Sequence, residues 1–285
     1  MKISVIGDLH GSNVYLRYIL RKIRKTDALF IAGDIAGTIS YCLILKSIFK
    51  SKKISREKYT ELVYDKYLPQ FIEFQKKSTR KMFKILSKAS IPVFYTHGNS
   101  DSEQVIEVFK EYSENSPQFY YLGDSTVKHE NLIVVGYGFC SPAEYRTPFQ
   151  TPGEKDKDEI SKDLIKLENK ILEYEKNKTD LLIGLFHEPP KDTKLDYIGW
   201  SSTHSGSELI QNHTLKIPYD LVFAGHIHES QNCDIQKETI LVNPGPLVNG
   251  KWAIVDTKKR TVSLRKIPIM LSIRSLIYRS RETFK

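Results

Sequence analysis

Eight short apolar runs of strand length constrain the fold of this chain more than any other feature. The runs are ISVIG (3–7), ALFIAG (28–33), IPVFY (91–95), LIVVG (132–136), LLIGLF (181–186), LVFAG (221–225), TILVN (239–243) and KWAIV (251–255). They are continuous rather than alternating, which is typical of strands covered on both faces. After the first run, Leu16, Ile19, Leu20 and Ile23 recur at the spacing of one helix face. This alternation of strand and helix predicts a layered α/β domain.

Two stretches interrupt the alternation. Residues 37–90 are rich in Lys and aromatic residues and predict a helical insertion, with a kink or break at Pro69. Residues 154–178 predict a charged surface helix whose inner face carries Ile160, Leu164, Leu167 and Ile171. We therefore expect one domain over residues 1–256, containing the insertion, followed by a basic C-terminal extension over 257–285.

The net charge of +9 on these 285 residues is unevenly distributed. Residues 257–285 contain nine Lys and Arg and a single acidic residue, Glu282, so this segment carries +8 of the net charge of +9. A basic segment of this kind attracts phosphate-bearing partners. The first residue leads directly into an apolar run, with no signal-peptide pattern, and no apolar stretch approaches the roughly 20 residues of a membrane span. The sequence thus predicts a soluble, cytoplasmic protein.

Polar side chains that can bind metal follow five of the apolar runs. They are Asp8 and His10 in GDLHG, Asp34 in AGDIAG, Asn99 in HGNSD, His187 in LFHEPP, and His226 and His228 in AGHIHES. Ligands of α/β proteins bind in the crevice outside the carboxyl ends of the strands, so these seven side chains are expected to converge on one site.

The types of these side chains indicate a metal centre. Carboxylate, imidazole and amide oxygen together suit manganese, iron or zinc, and seven ligands suffice for two ions that share one carboxylate. Cys42, Cys140 and Cys233 form no CxxC pair, which argues against a disulfide framework. No thiolate is expected near the seven positions, which weighs against a structural zinc site. Taken singly, an aspartate here could instead cap a helix, and a histidine could be a packed core residue.

In order, DLH, GD, GNSD, FHEPP and GHIH resemble the motifs of the calcineurin-like metallophosphoesterases. The stretches HEPPKDTKLDYIGWSSTHSGS, AGHIHES and TILVNPGPL are similar to the archaeal and bacterial phosphoesterases related to Icc. The resemblance spans residues 8–246. It implies a four-layer α-β-β-α sandwich, in which two mixed sheets are flanked by helices.

The resemblance also implies roles for the seven residues. Asp8, His10 and His228 would bind one metal ion, Asn99, His187 and His226 would bind the other, and Asp34 would bridge the two. A water between the ions would be the nucleophile that hydrolyses a phosphate ester. Two divalent ions are expected, manganese first, with iron, zinc and nickel as alternatives.

Ser100 departs from the family pattern, because many members carry a histidine at this position. A serine is a poor general acid near neutral pH, so basic leaving groups should depart slowly unless another donor serves. Phosphodiesters are therefore favoured over monoesters as substrates, either small molecules or nucleotides. His204, in the loop THSGS, is the candidate replacement donor, and Ser205 and Ser207 are candidate phosphate-binding residues. Each of these could also be an ordinary loop residue.

Two other functions stay open at this stage. The basic tail is compatible with a metal-dependent nuclease, whose binding to nucleic acid would weaken steeply with salt. A non-catalytic interaction scaffold on the same fold is the third hypothesis, although such a scaffold would not need all seven ligands. An aromatic group in the insertion could form a surface for a partner or a homo-oligomer, or simply that segment's own core: Tyr59, Tyr64, Tyr67, Phe71 and Phe74.

Overall fold

Two six-stranded mixed sheets form the centre of the molecule, in a computed structural model that describes residues 1–37, 68–142 and 153–268. The first sheet has the order β14-β13-β1-β2-β3-β4 and the second β11-β12-β10-β7-β6-β5. The strands of the first sheet are β1 (Lys2–Ile6), β2 (Ala28–Ala32), β3 (Val93–Thr96), β4 (Phe119–Tyr121), β13 (Lys251–Asp256) and β14 (Thr261–Lys266). Those of the second are β5 (Asp124–His129), β6 (Leu132–Tyr137), β7 (Leu181–Phe186), β10 (Leu221–Phe223), β11 (Asn232–Gln236) and β12 (Thr239–Asn243). A separate hairpin consists of β8 (Tyr197–Ile198) and β9 (Thr203–His204).

Each sheet contains a run of four parallel strands. In the first sheet β1, β2, β3 and β4 are parallel to their neighbours, and in the second β12, β10, β7 and β6 are. The remaining strands pair antiparallel at the edges. Parallel neighbours end on the same side of a sheet, so the loops after β1, β2 and β3 lie together, as do those after β7 and β10.

Helices cover the outer face of each sheet. They are α1 (Asn13–Ile23), α2 (Leu68–Leu86), α3 (Glu103–Asn115), α4 (Lys157–Leu172) and α5 (Glu208–Lys216), with 3₁₀ turns at Ser87–Ala89 and Leu247–Asn249. The first three helices share a buried apolar cluster with the first sheet, and α4 and α5 share another with the second. A third cluster, which includes Phe30, Phe94 and Phe223, fills the space between the sheets. The predicted four-layer α-β-β-α sandwich is confirmed.

The amphipathic patterns also behave as predicted. Leu16, Ile19 and Ile23 of α1 are fully buried, and so is Ile160 of α4. Pro69 lies at the start of the described part of α2, which runs from Leu68 to Leu86. The helix α2 is the part of the predicted insertion that falls within the described residues.

Strand β14 lies beyond residue 256, in the predicted basic extension, and pairs antiparallel with β13 over its whole length. The first sheet therefore continues into this segment. Among the described residues, no helix combines the length and the apolar character needed to cross a membrane.

Candidate metal centre

The seven predicted ligands lie at the carboxyl ends of parallel strands, where the two sheets meet. Asp8 follows β1, Asp34 follows β2 and Asn99 follows β3, while His187 follows β7 and His226 follows β10. Backbone hydrogen bonds join neighbouring loops across this edge: Asp8 N–H donates to Gly33 O at 3.1 Å, and Gly225 N–H donates to His187 O at 2.9 Å.

An unusual backbone conformation directs several of these side chains. Asp8, His10, Asp34 and His226 have φ angles of 49°, 43°, 49° and 65°, in the left-handed region that residues other than glycine rarely adopt. Such strain persists only where the surrounding structure holds it, and it concentrates at functional sites. Here it turns the chain sharply after a strand and leaves the ligand side chain in the crevice.

The first cluster of ligand atoms consists of Asp8, His10 and His228. The Nε2 atoms of the two histidines face each other at 3.3 Å, and His228 Nε2 lies 3.4 Å from Asp8 Oδ1. Asp8 is completely buried, whereas the His228 side chain is 37% exposed. One ligand of the first cluster is therefore open to an incoming substrate.

The second cluster consists of Asn99, His187 and His226. Asn99 Oδ1 lies 3.2 Å from His187 Nε2 and 3.1 Å from His226 Nδ1. His187 Nδ1 donates a hydrogen bond to the carbonyl oxygen of Ala32 at 2.8 Å, so its Nε2 is the nitrogen available to a metal.

Asp34 lies between the two clusters with one carboxylate oxygen toward each. Its Oδ2 is 3.6 Å from His10 Nε2, and its Oδ1 is 3.5 Å from His187 Nε2. The side chain is almost fully buried. A carboxylate in this position is arranged to bridge two cations.

The pKa values of Asp34 and His226 suit metal binding. Burial by itself would raise the pKa of Asp34, but His187, His10 and the hydrogen bonds from Ser100 outweigh it and bring this pKa below its usual value. Burial lowers the pKa of His226 to about 4, and the neighbouring His187 adds to this effect. An ionised carboxylate and a neutral imidazole are the forms that coordinate metal ions.

The donor set fits two divalent cations. Asp8 Oδ2 is buried without a hydrogen-bond partner among the described residues, which is costly unless a cation interacts with it. The Nε2 atoms of His10 and His228 face each other at 3.3 Å, a spacing that a shared cation would also produce. Three overlapping groups of His, Cys and Asp atoms, each within 4.8 Å of one another, occur in this region.

Gly98 lets the Asn99 loop approach both clusters. A Cβ atom at this position would lie 2.2 Å from Asp34 Oδ1 and 2.6 Å from His187 Nε2. Neither neighbour can move without leaving the centre, so residue 98 must be a glycine.

Asp101 ties this loop to the loop of Asp34. Its buried carboxylate accepts hydrogen bonds from the N–H groups of Ile35 at 3.1 Å, Ala36 at 2.8 Å and Gly98 at 3.0 Å. Burial, with the nearby charge of Asp34, raises the pKa of Asp101 to about 7. Asp101 thus positions two ligand loops relative to each other.

Cys140 was missed at the sequence level, and the expectation that no thiol lies near the ligands is wrong. Its Sγ and one ring nitrogen each of His187 and His226 all lie within 4.8 Å of one another. Burial raises the pKa of this thiol well above its usual value, and Glu188 and Asp34 add to the effect. Cys140 and Cys233 are both free cysteines, and Cys42 lies outside the described residues.

Sequence reasoning did not consider Cys140 as a ligand, although it lies three residues after the end of β6, as Asn99 does after β3. Nor did it consider Glu188, which is buried beside Cys140 and accepts hydrogen bonds from Ser141 N at 2.9 Å and Ser141 Oγ at 3.1 Å. Its position directly after His187 was the one signal available for it.

The three predicted substrate residues lie in and after the β8–β9 hairpin. His204 Nδ1 is 2.7 Å from Asp196 Oδ1, and Asp196 is fully buried. Ser205 is exposed, whereas Ser207 is buried at the start of α5, where its hydroxyl accepts a hydrogen bond from Ile210 N. None of the three belongs to the groups of candidate metal-binding atoms, and Ser207 is already engaged as a helix cap.

A cleft of about 540 Å³ links His204 to the ligand loop. It is lined on one side by Tyr197 and His204 of the hairpin and on the other by Glu229 and Ser230, which directly follow His228. The Ser230 hydroxyl donates a hydrogen bond to Tyr197 O, so the hairpin is anchored to the loop that carries His226 and His228.

Comparison with known proteins shows the family and the fold of this chain. The family model described as calcineurin-like phosphoesterase matches residues 1–230. The uncharacterized protein MJ1162 of Methanocaldococcus jannaschii is 31% identical over 170 residues, which cover 59% of this chain and 68% of that protein. The crystal structure of TT1561 of Thermus thermophilus has a TM-score of 0.65 at 16% identity, covering 94% of this chain and 99% of that one.

A further crystal structure superimposes with a TM-score of 0.70 at 16% identity, again over 94% of this chain and 99% of that chain. At such low identity, these two structures show that the fold is shared. The family model covers most of the chain and includes every ligand described above. The chain therefore belongs to the calcineurin-like phosphoesterase family.

Proposed function

We propose that this protein hydrolyses phosphate esters with two divalent metal ions that share the carboxylate of Asp34. Members of its family are metal-dependent phosphoesterases with a dinuclear centre. The observation that carries the proposal is the position of Asp34, whose two oxygens lie 3.6 Å from His10 Nε2 and 3.5 Å from His187 Nε2.

Asp8, His10 and His228 would hold one ion, Asn99, His187 and His226 would hold the other, and Asp34 would contact both. When bound, the ions would supply an acidified bridging water as nucleophile and neutralise charge on the phosphoryl oxygens. Manganese is the first candidate, with iron, zinc and nickel as alternatives, because carboxylate, imidazole and amide ligands suit all four.

Phosphodiesters are the proposed substrates, because Ser100 does not serve as a proton donor. Its hydroxyl donates to Asp34 Oδ2 at 2.8 Å, so the proton is directed at the bridging carboxylate rather than at a leaving group. A leaving group that must depart without protonation departs faster when its conjugate acid has a low pKa.

His204 is the proposed replacement for the missing acid. The Asp196 carboxylate binds its Nδ1, which orients the ring and leaves Nε2 to meet a substrate in the cleft. A carboxylate that binds one ring nitrogen in this way fixes the orientation and tautomer of the histidine. The cleft, of about 540 Å³, has room for a nucleotide or a small phosphodiester beside His204 and Glu229.

The test is hydrolysis by metal-stripped full-length protein, reconstituted with manganese, of bis(p-nitrophenyl) phosphate and p-nitrophenyl phosphate side by side. We expect a rate that requires metal, favours the diester and vanishes in Asp34→Asn. Asp158→Asn, which changes a carboxylate on the first turn of α4, is the matched control and should retain the full rate. Equal rates for wild type and Asp34→Asn would contradict the proposal.

A further inference from the structure

We propose that Cys140 is an additional ligand of the second metal ion, beside Asn99, His187 and His226. This inference rests on the proposed dinuclear centre and extends it to a sulfur ligand. The Sγ of Cys140 and one ring nitrogen each of His187 and His226 lie within 4.8 Å of one another. Ligand atoms around one transition-metal ion, each about 2.0–2.3 Å from it, are separated by distances of this order.

The backbone holds Cys140 in this position. Strand β6 pairs in parallel with β7, with Tyr137 opposite Phe186, so the residues after the two strands emerge side by side. His187 N–H donates to Tyr137 O at 3.0 Å. Because β6 and β7 are neighbours in the second sheet, Cys140, which follows β6, lies on the same side of the crevice as His187, which follows β7.

A second set of hydrogen bonds ties Cys140 to the Asn99 loop. Cys140 N–H donates to Gly153 O at 2.9 Å, and Gly153 N–H donates to Asn99 O at 3.3 Å. Gly153 is close-packed there, since a Cβ on it would lie 2.6 Å from the Cα of Asn99. Cys140 is therefore fixed relative to two of the three ligands of the second cluster.

The surroundings of Cys140 differ from those of a cysteine that only fills space. The residue is fully buried, yet carboxylates of Glu188, Asp34 and Glu154 lie close enough to act on it electrostatically. A buried cysteine that serves only for packing behaves as a small hydrophobic residue among apolar neighbours. A thiol among carboxylates and imidazoles is explained better by a cation that binds it as thiolate.

A sulfur ligand would make the two ions different. The first cluster offers only carboxylate and imidazole groups, from Asp8, His10, His228 and Asp34, which accept manganese. Thiolate favours softer ions, so the second cluster would select zinc, iron(II) or cobalt(II) over manganese. We therefore infer a mixed centre rather than two manganese ions.

The test uses cobalt(II) bound to the metal-stripped full-length protein, because a cobalt–thiolate bond gives an intense near-ultraviolet charge-transfer absorption. We expect this band in the wild-type protein and its loss in Cys140→Ser, while cobalt still binds. Cys233→Ser, a change of the other described free cysteine, should keep the band. Zinc affinity of Cys140→Ser should fall by at least about tenfold, since losing even an outer-sphere partner of a ligand costs 10–100-fold.

Two results would overturn the inference, and they separate it from the proposed function. If two cobalt ions bind to the wild-type protein without the charge-transfer band, or if Cys140→Ser keeps the band, Cys140 is not a ligand and the dinuclear centre stands. If the protein binds no cobalt and Asp34→Asn leaves hydrolysis unchanged, both the proposed function and the inference about Cys140 fail.

Discussion

Ser100 holds the carboxylate of Asp34 at both oxygens. Its backbone N–H donates to Oδ1 at 2.9 Å, and its hydroxyl donates to Oδ2 at 2.8 Å. Because Asp34 faces both ligand clusters, this pair of hydrogen bonds fixes the orientation of the group proposed to bridge the ions. Ser100, at the position where many members of the family carry a histidine, therefore positions Asp34.

Removing this hydroxyl should weaken metal binding. In Ser100→Ala, Asp34 Oδ2 loses its hydrogen bond, and we expect the affinity for manganese to fall about 10- to 100-fold, the usual cost of losing a partner that orients a ligand. Competition with a chelator of known affinity would measure the change. Ser102→Ala is the matched control, since that hydroxyl has no hydrogen-bond partner among the described residues. Unchanged affinity in Ser100→Ala would contradict the positioning role.

His204 should matter most for substrates whose leaving groups need a proton. For diesters with basic alcohol leaving groups we expect His204→Ala to lower kcat about 10²- to 10⁴-fold, the range for loss of a general acid. For p-nitrophenolate, which departs readily without a proton, the loss should be much smaller. Rates across leaving groups of graded pKa would measure this dependence, with Thr203→Ala on the same hairpin as control. A uniform loss for all leaving groups would assign His204 to binding instead.

The buried core of the fold was predictable from sequence, and its edges were not. All eight apolar runs form strands, because a strand covered on both faces needs an apolar side chain at every position. Strand β4 and the β8–β9 hairpin are absent from those predictions, because each of these strands has only two or three residues. Strands β5, β11 and β14 are absent as well: they lie at sheet edges and carry polar residues, as in DSTVKH and TVSLRK, and no continuous apolar run distinguishes them from loops.

For the site, sequence reasoning proposed seven candidate ligands, because each follows or lies near the end of an apolar strand, where the topology of α/β sheets directs ligand groups. It predicted neither the hydrogen bond of Ser100 to Asp34 nor the proximity of Cys140 to His187 and His226. Both depend on contacts between segments far apart in the chain. The same holds for Asp101, which joins the loops of Asp34 and Asn99 through their backbone.

His97 should make the stability of the metal-free protein sensitive to acid. Burial lowers its pKa to about 3, with the charge of His187 as the next cause, whereas in the unfolded chain the pKa is near 6.5. Above about pH 6.5 both states are neutral at this residue, and below it only the unfolded state gains a proton. Stability should therefore fall as pH drops from 6.5, by about 2 kcal/mol at pH 5 from this residue.

Urea unfolding of metal-free wild type and His97→Gln between pH 7 and pH 5 would measure this contribution. The variant should lose less stability over that interval than the wild type, whatever its absolute stability at pH 7. His129→Gln is the control: this histidine is only partly buried, on an edge strand. Parallel pH dependences for wild type and His97→Gln would show that His97 becomes protonated in the folded state.

Gly98→Ala should abolish the metal centre, because the new methyl group would lie 2.2 Å from Asp34 Oδ1 and 2.6 Å from His187 Nε2. Carbon atoms do not approach so closely, so the loop must move and carry Asn99 away from His187 and His226. Isothermal titration with cobalt(II) should show loss of at least one of the two binding events, and diester hydrolysis should stop. Gly199→Ala is the matched control, since a Cβ there meets no atom within 4 Å and both binding events should remain. Two intact binding events in Gly98→Ala would mean that the Asn99 loop is not part of the centre.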